Sequence, residues 1–374
     1  THIRRERLHT TRPGALDPRA RRGQARRAAP GHCHISAFGS ERLSNGQPDA
    51  LRATSDQGDF PAQRFCCHVE HQGPKTKDRP SPKGLGTKDY NSPPMPDVAI
   101  IGAGELGGAL AHHLARRDIV RTLCLVDDKG QIAAGKALDI MQAAPIESFS
   151  TRVSGAQDVA AAAGSMVFVL ADRAGAGEWQ GEDGLTMIGR ILRLAGSPIV
   201  LCAGSAQREI VERGVRALGL SRSSIFGSAP EALASAVRAI VALETNGSPA
   251  DVALAVLGVP PAHVVVPWEE VTIGGFAATR VLDASARRRI ASRVDHLWPP
   301  GPYALAAAAT EAIDGMIGGS RRRISAFVAP DDANGRRYRT AALPVRLGPD
   351  GIVAVDAPAL STRDRVALEN AMTL

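Results

Sequence analysis

Residues 98–107, VAIIGAGELG, restrict this chain more than any other stretch. An apolar run leads into three glycines spaced G-x-G-x-x-G, a helix-forming run follows, and LCLVDD at 123–128 brings an Asp about 20 residues past the last glycine. A strand, a tight turn, a helix and a second strand ending in a carboxylate make a dinucleotide-binding unit. Gly102 permits the turn, Gly104 allows a pyrophosphate to approach the backbone, and Gly107 lets the helix pack closely on the sheet. The helix start adds free N–H groups and partial positive charge. Asp127 is placed to accept from ribose hydroxyls and would repel a 2′-phosphate, so the expected cofactor is NAD rather than NADP. Glu105 puts a second carboxylate beside the phosphate turn, which is tolerable only if it points to solvent.

The pattern continues from Pro96 onward as alternating strands and helices. Strands are expected at Val98–Ile101, Thr122–Val126, Met166–Ala171 and Ile199–Cys202, with helices at Glu105–Arg116 and Gln131–Gln142. Such alternation implies a doubly wound parallel sheet. Beyond residue 245 the pattern changes to strands at Val252–Leu257 and Val264–Val266 and helices at Ser285–Leu297 and Tyr303–Met316. A hairpin follows, turning at LGPDG (347–351), and then a last helix. The predicted architecture is α/β: a Rossmann-type doubly wound sheet over 95–244, an α+β C-terminal domain over 245–374, and a disordered N-terminal extension over 1–94.

The formal charge of +7 suggests nucleic-acid binding until it is located. Residues 1–94 hold 17 Lys+Arg against 9 Asp+Glu, leaving 28 against 29 for the remainder. The leading segment is rich in Arg, Pro, Gly and Ser and cannot bury enough apolar surface to offset its chain entropy. Its Arg clusters near Arg4, Arg21 and Arg26 lack interleaved aromatics, and His32, Cys33, His34, Cys66, Cys67, His68 and His71 lack paired C-x-x-C spacing. Nucleic acid is therefore a disfavoured partner and no metal site is expected. Met95, just ahead of the first strand, is where a compact nucleotide-binding chain would naturally begin. Five irregularly spaced cysteines, no apolar signal segment and no membrane-length apolar run point to a cytoplasmic protein.

Further along, the chain resembles the malate and lactate dehydrogenase family. GKALDIMQAAPIESFSTRVSGAQD (135–158) looks like the family's segment after the second strand, commonly GKALDL followed by a Pro. RYRTAALPVRLGPDGIVAVDAPALSTRDRVALENA (337–371) is similar to its closing hairpin and helix. The resemblance implies a homo-oligomer and NAD-dependent oxidation of a small 2-hydroxy acid. In that chemistry a His takes the hydroxyl proton, an Asp orients the His, Arg residues bind the carboxylate and close a loop, and an Asn helps hold substrate and cofactor.

At those positions the chain departs from the family. The pattern L-G-x-H-G-D is matched by LGVPPAH (257–263), with Pro260 where the base belongs and His263 three residues on, either a displaced base or a surface or packing His. The motif L-D-S-A-R is matched by Leu233, Ala234, Ser235, Ala236 and Val237. Arg238 stands one step, or about 100°, further around the helix. The loop A-G-x-P-R-K-P-G is matched by ADRAGAGEWQGEDGL (171–185), whose Arg173 is the single basic residue, and whose Glu178, Glu182 and Asp183 would make a lid that repels a dicarboxylate. Ala203 and Gly204 replace the family's Asn-Pro.

The expected cofactor residues are thus Gly102, Gly104, Leu106, Gly107, Asp127 and Ala171, and the candidate substitutes for the catalytic groups are His263, Arg173 and Arg238. Three readings follow: a non-catalytic relative that keeps the fold, with or without NAD, and serves as a sensor or partner subunit; an active oxidoreductase on a different substrate; or a nucleic-acid binder acting through its basic tail. The first is favoured.

Overall fold

The computed structural model describes residues 97–319, 322–331, 339–356 and 358–373. The expected disordered extension, its Arg clusters and its His and Cys residues lie outside the described residues.

The first half alternates as the apolar pattern requires. It runs β1 (Asp97–Ile101), α1 (Glu105–Arg117), β2 (Thr122–Val126), α2 (Gly130–Glu147), β3 (Arg152–Ala156) and β4 (Val167–Leu170). A small hairpin, β5 (Asp172–Arg173) and β6 (Gly177–Glu178), precedes α3 (Gly181–Ala195), β7 (Ile199–Cys202), α4 (Arg208–Leu218), β8 (Ile225–Gly227) and α5 (Ala229–Thr245). Then come β9 (Val252–Ala253), β10 (Leu257–Val259), β11 (His263–Val265), β12 (Thr272–Ile273), β13 (Phe276–Ala277), α6 (Ala278–Val281), α7 (Ala284–Val294) and α8 (Pro302–Gly318). The chain closes with β14 (Arg323–Val328), β15 (Ala341–Gly348), β16 (Gly351–Val355) and α9 (Thr362–Thr373).

Strands β3, β2, β1, β4, β7 and β8 pair in that order, all parallel, so helices cover both faces. The sheet then continues antiparallel through β14, β15, β10 and β11, with β16 on the outside of β15. Strands from both sides of residue 244 therefore share one sheet. The expected strand at 252–257 is split, because Val252 and Ala253 pair with β12 while Leu257 joins the large sheet.

Burial explains the order. Four of the five β1 residues are buried, and α1 turns Leu106, Leu110, Ala111, Leu114 and Ala115 onto the sheet before Asp118 ends it in the left-handed region. Phe168, Phe226 and Phe327 are fully buried on three strands of this sheet, each worth about 1.5–3 kcal/mol in removed apolar surface. A second apolar cluster joins α5 to β9, α6 and α7 through residues such as Leu233, Ala234, Val237, Val252 and Ile290. Among the described residues no helix is long and apolar enough to cross a membrane.

Candidate functional site

Parallel pairing brings the carboxyl ends of β1, β2, β4 and β7 to one edge of the sheet, where a doubly wound fold binds its ligand. Gly102 leaves β1 at φ +117°, a conformation suited to glycine, and donates to the Val126 carbonyl at 2.7 Å. Gly104 starts α1, Leu106 is buried beneath it, and Gly107 is so close to the Gly102 carbonyl that any side chain would overlap it. Glu105 is exposed, as its place beside the phosphate turn requires. The glycine turn therefore has the expected backbone.

Its contents differ from expectation. The Gly104 amide donates to the Asp172 carbonyl at 2.8 Å, and the Gly107 amide to Asp172 Oδ1 at 2.9 Å. A Cβ on Gly102 would overlap the Asp172 backbone, and one on Gly104 would overlap its carboxylate. Asp127 is also engaged: Oδ2 accepts from Ala103 at 2.7 Å and Ala174 at 2.9 Å, and Oδ1 from Lys129 at 2.9 Å. Burial pushes the Asp127 carboxyl up. The three amides and the Lys129 charge outweigh that push and hold it below the usual carboxylate range.

Asp172 and Ala174 belong to the short hairpin after Ala171. Asp172 and Glu178 are register partners, so their side chains leave the same face. Glu178 Oε1 accepts from the Ser205 amide and hydroxyl, both at 3.0 Å, and Oε2 from the Ala206 amide at 2.8 Å, in the loop that leads to α4. Trp179, 5% exposed, donates its indole N–H to the Ile101 carbonyl at 3.1 Å. Arg173 lies over that ring at 4.5 Å and pairs with Asp183 at 3.4 Å. Ala171 is buried under the hairpin, its carbonyl accepting from Trp179 and Gln207. The acidic lid expected from Glu178, Glu182 and Asp183 is thus met internally, since Glu182 pairs with Arg213 at 2.5 Å. A cavity of about 390 Å³ remains beside the hairpin, lined among others by Asp127, Asp158, Trp179 and Arg190.

The candidate catalytic groups do not converge. His263 is exposed on the edge strand β11, opposite Val259, across the turn that holds Pro260 and the cis peptide to Pro261. Arg173 is committed to Trp179 and Asp183. Arg238 pairs with the buried Glu231 at 2.5 Å and reaches the Leu254 carbonyl at 3.4 Å, while Glu231 also accepts from the Ser325 amide at 2.8 Å. Ala234 and Val237 are fully buried in the second apolar cluster. Cys202, at the end of β7, is no nucleophile, because burial pushes its thiol up to about 12.

Residues 97–214 match a family model described as lactate/malate dehydrogenase, NAD binding domain. Two curated malate dehydrogenases align along most of their length. That of Thioalkalivibrio sulfidiphilus is 29% identical over 298 residues, covering 74% of this chain and 96% of its own, and that of Thermomicrobium roseum is 27% identical over 288, covering 72% and 93%. Residues 97–214 thus carry the likeness of a lactate/malate dehydrogenase NAD-binding domain, and the chain is similar to malate dehydrogenases over about three quarters of its length. The fold agrees with Plasmodium falciparum malate dehydrogenase at a TM-score of 0.67, 18% identity, covering 75% of this chain and 96% of that one. Cryptosporidium parvum lactate dehydrogenase, solved with lactic acid and nicotinamide adenine dinucleotide, gives 0.64 at 19% identity, covering 75% and 95%.

This similarity sharpens the meaning of the glycine turn. With the hairpin in place the turn does not fit a dinucleotide pyrophosphate, since Asp172 takes both the amides and the space. Sequence reasoning passed over Asp172. The signal was available: after the Ala that matches Ala171, the family pattern has Gly where this chain has a carboxylate. Glu231 was passed over as well, because nothing local marks a helical Glu as the partner of Arg238.

Proposed function

We propose that this chain is a malate/lactate dehydrogenase-family protein without ordinary malate or lactate turnover, acting as a non-catalytic relative or partner subunit. The observation that carries this reading is the environment of Ala234 and Val237. Where the family motif supplies an Asp and an Arg, these two side chains are sealed in an apolar cluster, and the neighbouring Arg238 is held by Glu231. Each charge-assisted hydrogen bond to a substrate carboxylate is worth about 1.5–3 kcal/mol. A missing general base costs a further factor of about 10²–10⁴. The cofactor class that the family implies is NAD, and with the hairpin out of the turn the groups that would hold it are Gly102, Gly104, Leu106, Gly107, Asp127 and Ala171.

The test follows nicotinamide absorbance when the full chain is mixed with NADH and oxaloacetate or pyruvate. The expected rate equals the blank, and His263→Ala changes neither that rate nor, beyond about 0.5 kcal/mol, the stability. Measurable turnover that collapses in His263→Ala would overturn the reading and favour an oxidoreductase with a displaced base.

Self-association is part of the proposal. Of its 18 residues, α2 buries only Ala133, Ala137 and Ile140, and it leaves Leu138 at 61% and Ile146 at 85% exposure. Light scattering on the purified chain is expected to give at least twice the 39.2 kDa chain mass, and a single-chain mass would remove this part. A cytoplasmic location fits the free thiols of Cys124 and Cys202.

A further inference from the structure

We propose that the β5–β6 hairpin is a built-in occupant of the dinucleotide cleft, its Asp172 and Glu178 carboxylates standing where cofactor groups would bind, so that the chain excludes NAD and NADH while the hairpin is docked. This goes beyond the loss of turnover, which concerns the substrate pocket.

Four sets of contacts carry the inference. First, Asp172 accepts from Gly104 through its carbonyl and from Gly107 through its carboxylate at the positive end of α1. That is the place and the sign a phosphate would take. Second, Glu178 takes the Ser205 and Ala206 amides and the Ser205 hydroxyl. A Cβ on Gly204 would overlap the Glu178 carboxylate, so this second anion is as closely fitted as the first. Third, the Ala174 amide takes Asp127 Oδ2, which already holds the Ala103 amide, while Lys129 holds Oδ1. A carboxylate offers about four acceptor sites, so little of Asp127 is left for a ribose. Fourth, Trp179 is anchored on the Ile101 carbonyl beneath Arg173, which pairs outward with Asp183.

These contacts act together because one short hairpin and the residue that follows it, Trp179, supply all of them. Its turn is held by Gly175 and Gly177 at φ +73° and +74° and by the Ala176 amide on the Arg173 carbonyl at 3.2 Å. The occupants are register partners, so a dinucleotide that displaced Asp172 would also pull on Glu178. Binding therefore requires the whole hairpin to leave, and the apparent affinity falls by the fraction of molecules in which it is undocked.

The experiment titrates NADH into the full chain by calorimetry and compares wild type with Asp172→Gly, Glu178→Gln and the double variant. Wild type is expected to show no saturable binding, or a Kd at least roughly 10-fold weaker than the double variant, as a docked population of about 90% would impose. Equal Kd values, or a folded double variant that also fails to bind, would overturn the proposal. If the variants do not fold, hydrogen exchange on wild type in excess NADH decides. Retained protection at Gly104, Gly107, Ser205 and Ala206 with no binding heat supports the occupant, as does binding accompanied by lost protection in residues 172–178. Binding heat with the hairpin still protected overturns it. A wild type that binds NADH tightly and turns nothing over defeats this inference and leaves the non-catalytic reading standing.

Discussion

Glu231→Ala is expected to cost about 3–5 kcal/mol of stability, the usual penalty for removing one partner of a buried ion pair. Glu231 is 3% exposed and accepts from Arg238 and from the Ser325 amide, so it ties α5 to β14 beneath the sheet. Its removal leaves a guanidinium with 13% of its side chain exposed without its carboxylate partner, and strands a buried amide. A thermal midpoint lowered by roughly 6–15 °C is the measurable form. Replacing both Glu231 and Arg238 by Leu should cost less, because the pair's own desolvation is removed along with its attraction and only the stranded Ser325 amide remains. A single Glu231→Ala loss below about 1 kcal/mol would show that water reaches the site.

Arg238→Ala tests the same pair from the other side. Burial raises the Glu231 carboxyl, and Arg238 and the Ser325 amide oppose that rise. Without Arg238 the folded-state value climbs further above the unfolded one. A raised acid stabilises the fold below its unfolded value, and this contribution is lost as pH rises through the folded value. The deficit of Arg238→Ala should therefore shrink on acidification from pH 7 toward pH 5, read as the difference in denaturant midpoint from wild type. A deficit that grows over that range would contradict the assignment.

The second large effect is at Asp127. Asp127→Ala orphans the amides of Ala103, Lys129 and Ala174, and a buried unsatisfied group costs about 1–3 kcal/mol, so a total of about 3 kcal/mol or more is expected. The pH dependence has the opposite sign to that of Glu231. The folded carboxyl lies below its ordinary value, so its contribution is present above the unfolded value of about 3.9 and is lost as pH falls through the folded one. Asp127→Asn should start less stable at neutral pH yet lose less on acidification below about pH 4. An acid limb identical to wild type would mean that Asp127 is paired no better in the fold than in the unfolded chain.

The parallel half of the fold was legible because its signals are local. The buried run before Gly102 and the apolar stripe of α1 place β1 and α1 to within one residue of expectation, and Ile199–Cys202 was placed to the residue. The split of 252–257 between two sheets was not legible. An apolar run carries no mark of which partner strand it will meet, and Val252 and Leu257 meet different ones.

The candidate site divides along the same line. Spacing alone determined the glycine turn and the placement of Asp127 at the end of β2, and the resemblance to malate and lactate dehydrogenase motifs marked the charged groups replaced at Pro260, Ala234 and Val237. The turn and the strand end are properties of neighbours in sequence, and the replacements show by motif comparison, so none of them needs the fold. The fate of the charges that remain was decided only in three dimensions. Arg238 meets a Glu two turns earlier on its own helix, and Arg173 meets a ring six residues on. Asp172 meets an amide 65 residues away. A carboxylate settles wherever donors are concentrated, and in this fold the donors closest to Asp172 are the ones the glycine turn was expected to offer a cofactor.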